Sequence, residues 1–280
     1  MNSEKKKILL IRHGQSVFNE HYYETCLKLG VDPDKTNLVQ FTFFPLRKDL
    51  LDAPLTNLGI SQCVNARNEQ KEKIQNVKLV LVTATTRALQ TARHIFNTQD
   101  NHNKRLVVLP IFECTESVDD VFCNTIDNME KFSEFDFSIV KKETDQFGWS
   151  WFARHYTNHH KRENLISHID TQWKNFSYEK ESVARGFAMV KFMEKFSPEI
   201  FENWKDFSTR VNNHEDSLIR FLLKKENAEL KDNEIAFVGH NRLFKVMTAK
   251  SFDSESQPLE FWDSTNCEIK EHELELFDKL

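Results

Sequence analysis

Four short runs dominated by Val, Ile, Leu and Phe punctuate the chain: Lys7 to Ile11, Lys78 to Val82, Leu106 to Leu109 and Ile235 to Val238. Continuous apolar runs of this length are the pattern of strands buried on both faces, as in a parallel sheet covered by helices. The segments behind the first, second and fourth runs read as helices, for example Thr86 to Phe96 and Arg242 to Lys250. Strand alternating with helix implies βαβ units and an α/β fold. A three-layer α/β/α sandwich with a mostly parallel central sheet is therefore expected. Cys267 to Leu276 alternates imperfectly and is expected to add an edge strand.

Between the third and fourth runs lie residues 113–227, which hold 13 of the 24 phenylalanines and four of the five tryptophans. A stretch so rich in large apolar side chains should pack. Phe201, Trp204, Phe207, Val211, Leu218 and Phe221 recur at helical spacing behind Ser197-Pro198, which predicts one long amphipathic helix. The expected organisation is one domain over 1–280, with an α/β core of 1–112 and 228–280 and a helical cap insertion of 113–227.

Composition removes several functional classes. The chain has only six glycines in 280 residues, where average usage would supply about twenty. No dinucleotide or Walker-type glycine loop occurs. A net charge of -5 offers no global field for nucleic acid or anionic lipid, and no apolar run is long enough to span a membrane. The N-terminus has no secretory apolar core. Five cysteines, odd in number and without a C-x-x-C pair, suit a reducing cytosol. A cytoplasmic protein with neither nucleic-acid nor membrane partners is expected; the oligomeric state stays open.

In open α/β sheets, ligands bind at the carboxyl ends of the strands. Here those ends read Arg12-His13-Gly14-Gln15-Ser16, Thr83-Ala84-Thr85-Thr86-Arg87, Pro110-Ile111-Phe112-Glu113 and Gly239-His240-Asn241. Two arginines, two histidines and a carboxylate thus gather on one sheet edge. Helix N-termini starting there add partial positive charge, and guanidinium forks match phosphate oxygens. A histidine between such cations is held neutral and nucleophilic.

These residues fall into an ordered set of motifs. Leu10-Ile11-Arg12-His13-Gly14-Gln15-Ser16-Val17-Phe18-Asn19 resembles the opening motif of the histidine phosphatase superfamily, in its phosphoglycerate-mutase-like branch. Asp52-Ala53-Pro54-Leu55-Thr56-Asn57-Leu58-Gly59-Ile60-Ser61-Gln62 is similar to the second signature, Arg87-Ala88-Leu89-Gln90-Thr91-Ala92 to the third, and Val238-Gly239-His240-Asn241 to the fourth. The resemblance implies that His13 is the nucleophile that becomes phosphorylated. Arg12, Arg87 and His240 would hold the phosphoryl oxygens and Asn19 would add a hydrogen bond. Glu113 would be the general acid, with Glu116, Asp119 and Asp120 as alternatives. Gly14, Gly59 and Gly239 lie inside these signatures, and Gly30 reads as a helix C-cap.

The implied activity is hydrolysis of phosphomonoesters, small-molecule or phosphoprotein, through a phosphohistidine and without cofactor or metal. The alternatives are a phosphomutase on the same site or a non-catalytic module that binds phosphorylated ligands. Gln15 and Phe18 stand where the glycolytic mutases of this branch carry glutamate and tryptophan, which favours the phosphatase. His155 and His159 are four residues apart, but no third metal ligand is evident, and they read as part of a solvated basic face with His160. Arg154, Lys161 or Arg162 could contact a second phosphate.

Overall fold

A computed structural model of the chain describes residues 4–33, 47–99, 103–110, 125–155, 159–178, 180–196, 204–209, 211 and 228–276. The elements in order are β1 (Glu4–Arg12), α1 (Val17–Leu29), a 3-10 turn (Lys48–Leu50), α2 (Asn57–Glu69), α3 (Lys71–Asn76), β2 (Leu79–Thr83), α4 (Thr86–Phe96) and β3 (Arg105–Leu109). There follow α5 (Thr125–Lys131), α6 (Ser138–Phe147), a 3-10 stretch (Gly148–His155), α7 (His159–Gln172), a 3-10 turn (Trp173–Asn175) and α8 (Glu181–Phe196). The chain then forms β4 (Ile235–Gly239), α9 (Asn241–Thr248), β5 (Ser251–Phe252), β6 (Pro258–Leu259) and β7 (Ile269–Leu276).

All four apolar runs are strands of one sheet, ordered β3-β2-β4-β1-β7. The pairs β1–β4, β2–β4 and β2–β3 are parallel, and β7 runs antiparallel to β1. The expected edge strand exists but starts at Ile269. Cys267 has a left-handed φ of 60°, which an extended strand cannot accommodate.

Side chains alternate across a strand, so each run feeds two cores. Leu9, Ile11, Val80, Val82, Leu106, Val108, Ala236 and Val238 pack with Cys63 and Ala66 of α2 and with Ala88, Leu89 and Ile95 of α4. Ile8, Leu10, Leu79, Leu81, Val107, Leu109, Ile235 and Phe237 pack on the other side with Leu243, Phe244 and Met247 of α9 and with Phe207 and Val211. Both faces of the sheet are covered, giving the three-layer α/β/α arrangement.

The described part of the segment between β3 and β4 is mostly helical; its α5–α8 stretch lies mainly on the first of these cores, and Phe207 and Val211 lie on the second. Phe132, Phe135, Phe137, Trp151, Leu165, Val183 and Phe187 belong to the same apolar cluster as α2 and α4. It also touches the sheet edge: Val108 N–H donates to Asp136 O at 3.0 Å, and Asp136 N–H to Leu106 O at 2.7 Å. Residues 204–209 and 211 are helical as expected. The rest of that helix, including Ser197-Pro198, Phe201, Leu218 and Phe221, lies outside the described residues. Gly30 ends α1 with φ 67°, its N–H bonded to Leu27 O; a left-handed position of this kind favours glycine. Among the described residues, no helix is long and apolar enough to cross a membrane.

Candidate active site

The strand order decides which ends meet. β4 lies between β1 and β2, and Arg12 sits level with Gly239 in the parallel register. The residues one step beyond are His13 and His240. His13 N–H donates to Gly239 O at 3.0 Å, and the two imidazoles meet edge to face with centroids 5.2 Å apart. Helices α1, α4 and α9 begin within a few residues of these three strand ends, with Ser16, Thr85 and His240 as N-caps. Their N-termini direct backbone dipoles and partial positive charge toward this edge.

His13 is 5% exposed. Its Nδ1 lies 2.7 Å from the carbonyl of Gly14. A carbonyl can only accept, so Nδ1 carries the proton and Nε2 keeps its lone pair. Burial, then the charges of Arg87 and Arg12, hold the ring well below its ordinary pKa, against a smaller opposing effect of the Gly14 carbonyl. The geometry therefore presents a neutral imidazole with a defined tautomer.

His240 is fully buried. Its Nε2 is 2.9 Å from Thr83 Oγ1 and 3.3 Å from Thr85 Oγ1. Arg87, 2% exposed, stands in the first turn of α4. Arg12 donates from Nη1 to Ser264 O, and Asn241 holds that loop by accepting from Ser264 N–H and Oγ–H at 3.1 and 2.9 Å. Asn19 lies in the first turn of α1, where Ser16 and Asn19 cap each other; its Oδ1 accepts from Ser16 N–H at 3.2 Å.

The second signature supports the first through backbone contact. Gln15 N–H donates to Gln62 Oε1 at 2.9 Å, Thr56 N–H to Gln15 O at 3.0 Å, and Thr56 Oγ1–H to Gln15 Oε1 at 2.8 Å. The glycines make this approach possible. A Cβ on Gly59 would lie 2.2 Å from Gln15 O, and one on Gly14 would lie 2.7 Å from Gly59 O. No side chain of any size fits between these two loops.

Arg12, His13, Arg87 and His240 are thus brought together at one sheet edge, with Asn19 on the helix that leaves it. Glu113, Glu116, Asp119 and Asp120 lie outside the described residues, as do the side chains of Arg154, His155, His159, His160, Lys161 and Arg162. Among the described residues, no group of three His, Cys, Asp or Glu side chains is arranged to hold a metal ion. Sequence reading assigned no role to Thr83, Thr85, Asp52 or Ser264. The threonines were visible in the Thr83-Ala84-Thr85-Thr86 strand end. Ser264, 252 residues from Arg12, carries no local signal at all.

The chain matches no family model and no curated protein. Among solved structures it is similar to phosphoglycerate mutase from Bacillus anthracis str. Sterne, at 13% identity over 98% of this chain and 89% of the other, with a TM-score of 0.46. It is also similar to the ecdysone phosphate phosphatase from Bombix mori in complex with tungstate, at 13% identity over 95% and 88%, with a TM-score of 0.48. A mycobacterial glucosyl-3-phosphoglycerate phosphatase with VO3 aligns at 14% identity over 86% and 78%, with a TM-score of 0.40. Likeness at this level is too distant to assign chemistry, which has to be argued from the side chains of this chain.

Proposed function

We propose that this chain is a histidine phosphatase of the phosphoglycerate-mutase-like branch, hydrolysing phosphomonoesters through a phosphohistidine on His13 without a metal. The observation that carries the reading is the contact of His13 Nδ1 with the Gly14 carbonyl. Nδ1–H is bound to Gly14 O and the ring is kept neutral by burial and two arginines, which leaves Nε2 as a nucleophile.

In this mechanism Arg12, Arg87, His240 and the Asn19 amide hold the phosphoryl oxygens, helped by the helix N-termini. His13 Nε2 attacks phosphorus in line with the ester oxygen. The N–P bond forms as the P–O bond to the leaving group breaks, and Glu113 protonates the departing oxygen. Glu113, now a carboxylate, takes a proton from water. The water oxygen attacks phosphorus, the N–P bond breaks, and phosphate leaves. The pocket cations stabilise the charge that builds on the equatorial oxygens in both steps. The substrate is a small phosphate ester or a phosphoprotein, selected by the segment between β3 and β4 acting as a cap.

The test is phosphate release from an aryl phosphate by wild type and His13→Ala, with and without EDTA, together with acid-labile phosphoenzyme trapping. His13→Ala is expected to lose the phosphoenzyme and at least about a thousandfold in turnover. Turnover that persists in His13→Ala, or is abolished by EDTA, overturns the reading. Phosphoryl transfer within the substrate, with none released, would favour a mutase.

A further inference from the structure

Helix α4 has an unusual N-terminus. Thr85 is its N-cap residue, yet its side chain makes no capping hydrogen bond; the hydroxyl lies instead 3.3 Å from His240 Nε2. The cap comes from Asp52, which is 1% exposed. Its Oδ1 accepts from Thr86 N–H at 2.8 Å, and its Oδ2 lies 2.7 Å from Thr86 Oγ1. Asn128 of α5 closes the cluster, donating from Nδ2 to Thr86 Oγ1 at 2.9 Å and to Asp52 Oδ2 at 3.4 Å. Asp52 has a left-handed φ of 45°, a conformation that Asp and Asn tolerate better than most residues. The next residue along α4 is Arg87, a buried cation at a helix end whose dipole opposes it.

We propose that Asp52 is a positioning residue for Arg87: it caps α4 in place of Thr85, whose hydroxyl serves His240, and Asn128 ties that cap to the segment between β3 and β4. This rests on the phosphatase reading for its consequence in catalysis, but the hold on α4 is separable from it. The division of labour has a physical cause. Thr85 Oγ1 is turned toward His240 and makes no bond to the first amides of α4, and an uncapped buried N–H is costly. A carboxylate also offsets part of the unfavourable field on Arg87.

The test compares Asp52→Gly, which removes the carboxylate without straining a positive φ, with Asp52→Asn, which keeps an acceptor. Asp52→Gly is expected to speed hydrogen exchange at the amides of 86–89. It is also expected to lower kcat/KM for an aryl phosphate by on the order of tenfold to a hundredfold, and Asp52→Asn should restore most of both. In the Arg87→Ala background Asp52→Gly should cost little more, because the route runs through Arg87. Unchanged exchange, failure of Asp52→Asn to restore, or additive losses in the double variant overturns the proposal. If the wild type turns over no phosphate ester, the phosphatase reading fails. The affinity for inorganic phosphate then takes the place of kcat/KM in the same cycle, and additive losses still overturn the role of Asp52.

A separate observation lies behind the same loop. Cys63 of α2 and Cys267 before β7 are both buried free thiols, with sulfurs 3.4 Å apart. A Cβ on Gly14 would stand 3.2 Å from each of them. Cys267 N–H donates to Arg12 O at 3.1 Å, and its neighbour Asn266 donates from Nδ2 to His13 O at 2.9 Å. We infer that Cys63 and Cys267 form a disulfide under hydroperoxide and that this displaces the His13 loop. The sulfurs must approach by over an ångström to reach bonding distance, and Cys267 holds the backbone of the nucleophile strand. The Cys63 thiolate attacks one peroxide oxygen, the O–O bond breaks and hydroxide leaves, giving a sulfenic acid. The Cys267 sulfur then attacks Cys63 and gives up its proton, the S–O bond breaks, and water leaves. Two thiols are oxidised and one peroxide is reduced to two waters. The Cys267 contact lowers the pKa of the Cys63 thiol, which favours the thiolate that attacks.

Hydrogen peroxide should produce a cross-linked peptide pair lighter by two hydrogens and lower turnover by about tenfold or more. A dithiol should reverse both changes, and Cys63→Ser should resist. No cross-link, or equal inactivation of Cys63→Ser, overturns the inference. The mass measurement decides the cross-link even in a protein without turnover.

Discussion

The strand-end site and the segment from α5 to α8 share one apolar cluster but bury very different side chains. Around the pocket, His13, Ser16, Asp52, Thr83, Thr85, Thr86, Arg87, Thr91 and His240 are all buried. Between residues 125 and 196, the only buried polar side chains among those described are Thr125 and Asn128, and Asn128 points back at Asp52. The segment keeps its charges at the rim, as with Arg185, which lies 4.9 and 4.8 Å from the Trp149 and Trp173 rings and pairs with Asp170 and Glu181. Burying a polar group costs free energy unless it is matched. Among the described residues, buried polar groups concentrate at one sheet edge, and the segment from α5 to α8 buries mostly apolar ones.

That contrast is open to attack from both sides. The largest effect is expected in the segment. Trp151, 1% exposed, should cost about 4 kcal/mol of stability on replacement by alanine, read by denaturant unfolding, while kcat of the folded fraction changes little. A matching collapse of kcat would mean that the two regions are not separable. On the pocket side, Arg87→Lys should lower kcat/KM by on the order of a hundredfold, because an ammonium cannot replace a guanidinium fork. Its melting temperature should move far less than that of Trp151→Ala. Gly59→Ala should fall between the two classes, since its Cβ would meet Gln15 O at 2.2 Å and must push two loops apart. A loss of about 2 kcal/mol is expected together with reduced activity, and neither change alone fits.

The smallest expected effect is in pH dependence, where His13 and Asp52 are buried titratable groups of opposite sign. The pKa of His13 is depressed from 6.5 on folding, so below pH 6.5 the unfolded chain takes up a proton that the folded chain refuses, and stability falls with pH. Burial raises Asp52 from 3.8 to about 6, against its hydrogen bonds to Thr86; its contribution is present below pH 3.8 and lost as pH rises through about 6. His13→Gln should therefore flatten the acid limb of a stability profile, and Asp52→Asn should flatten the rise in cost toward pH 6. Each shifted unit is worth about 1.4 kcal/mol. Trp151→Phe, in a segment with no buried titratable side chain among the described residues, should shift the profile without changing its shape.

Much of this was legible in the amino-acid order. The four apolar runs became the four parallel strands, α4 spans Thr86–Phe96 as its pattern implied, and Gly30 caps α1. These features rest on periodicity and local backbone preference, which act over a few residues. The residues at the strand ends were visible for the same reason, since a strand end is a local event.

The contacts that close long loops were not legible in the amino-acid order. The insertion of β4 between β1 and β2 puts His240 against His13 and within reach of Thr83 and Thr85. Asp52 caps a helix 34 residues downstream, and Arg12 reaches Ser264 O across 252 residues. Cys63 and Cys267, 204 residues apart, meet behind Gly14. Pairings of this kind leave no periodic trace, because contacts at that separation are set by which elements pack together and not by local spacing. Local patterns marked the sheet strands and the side chains at their ends; strand order set which of those side chains meet.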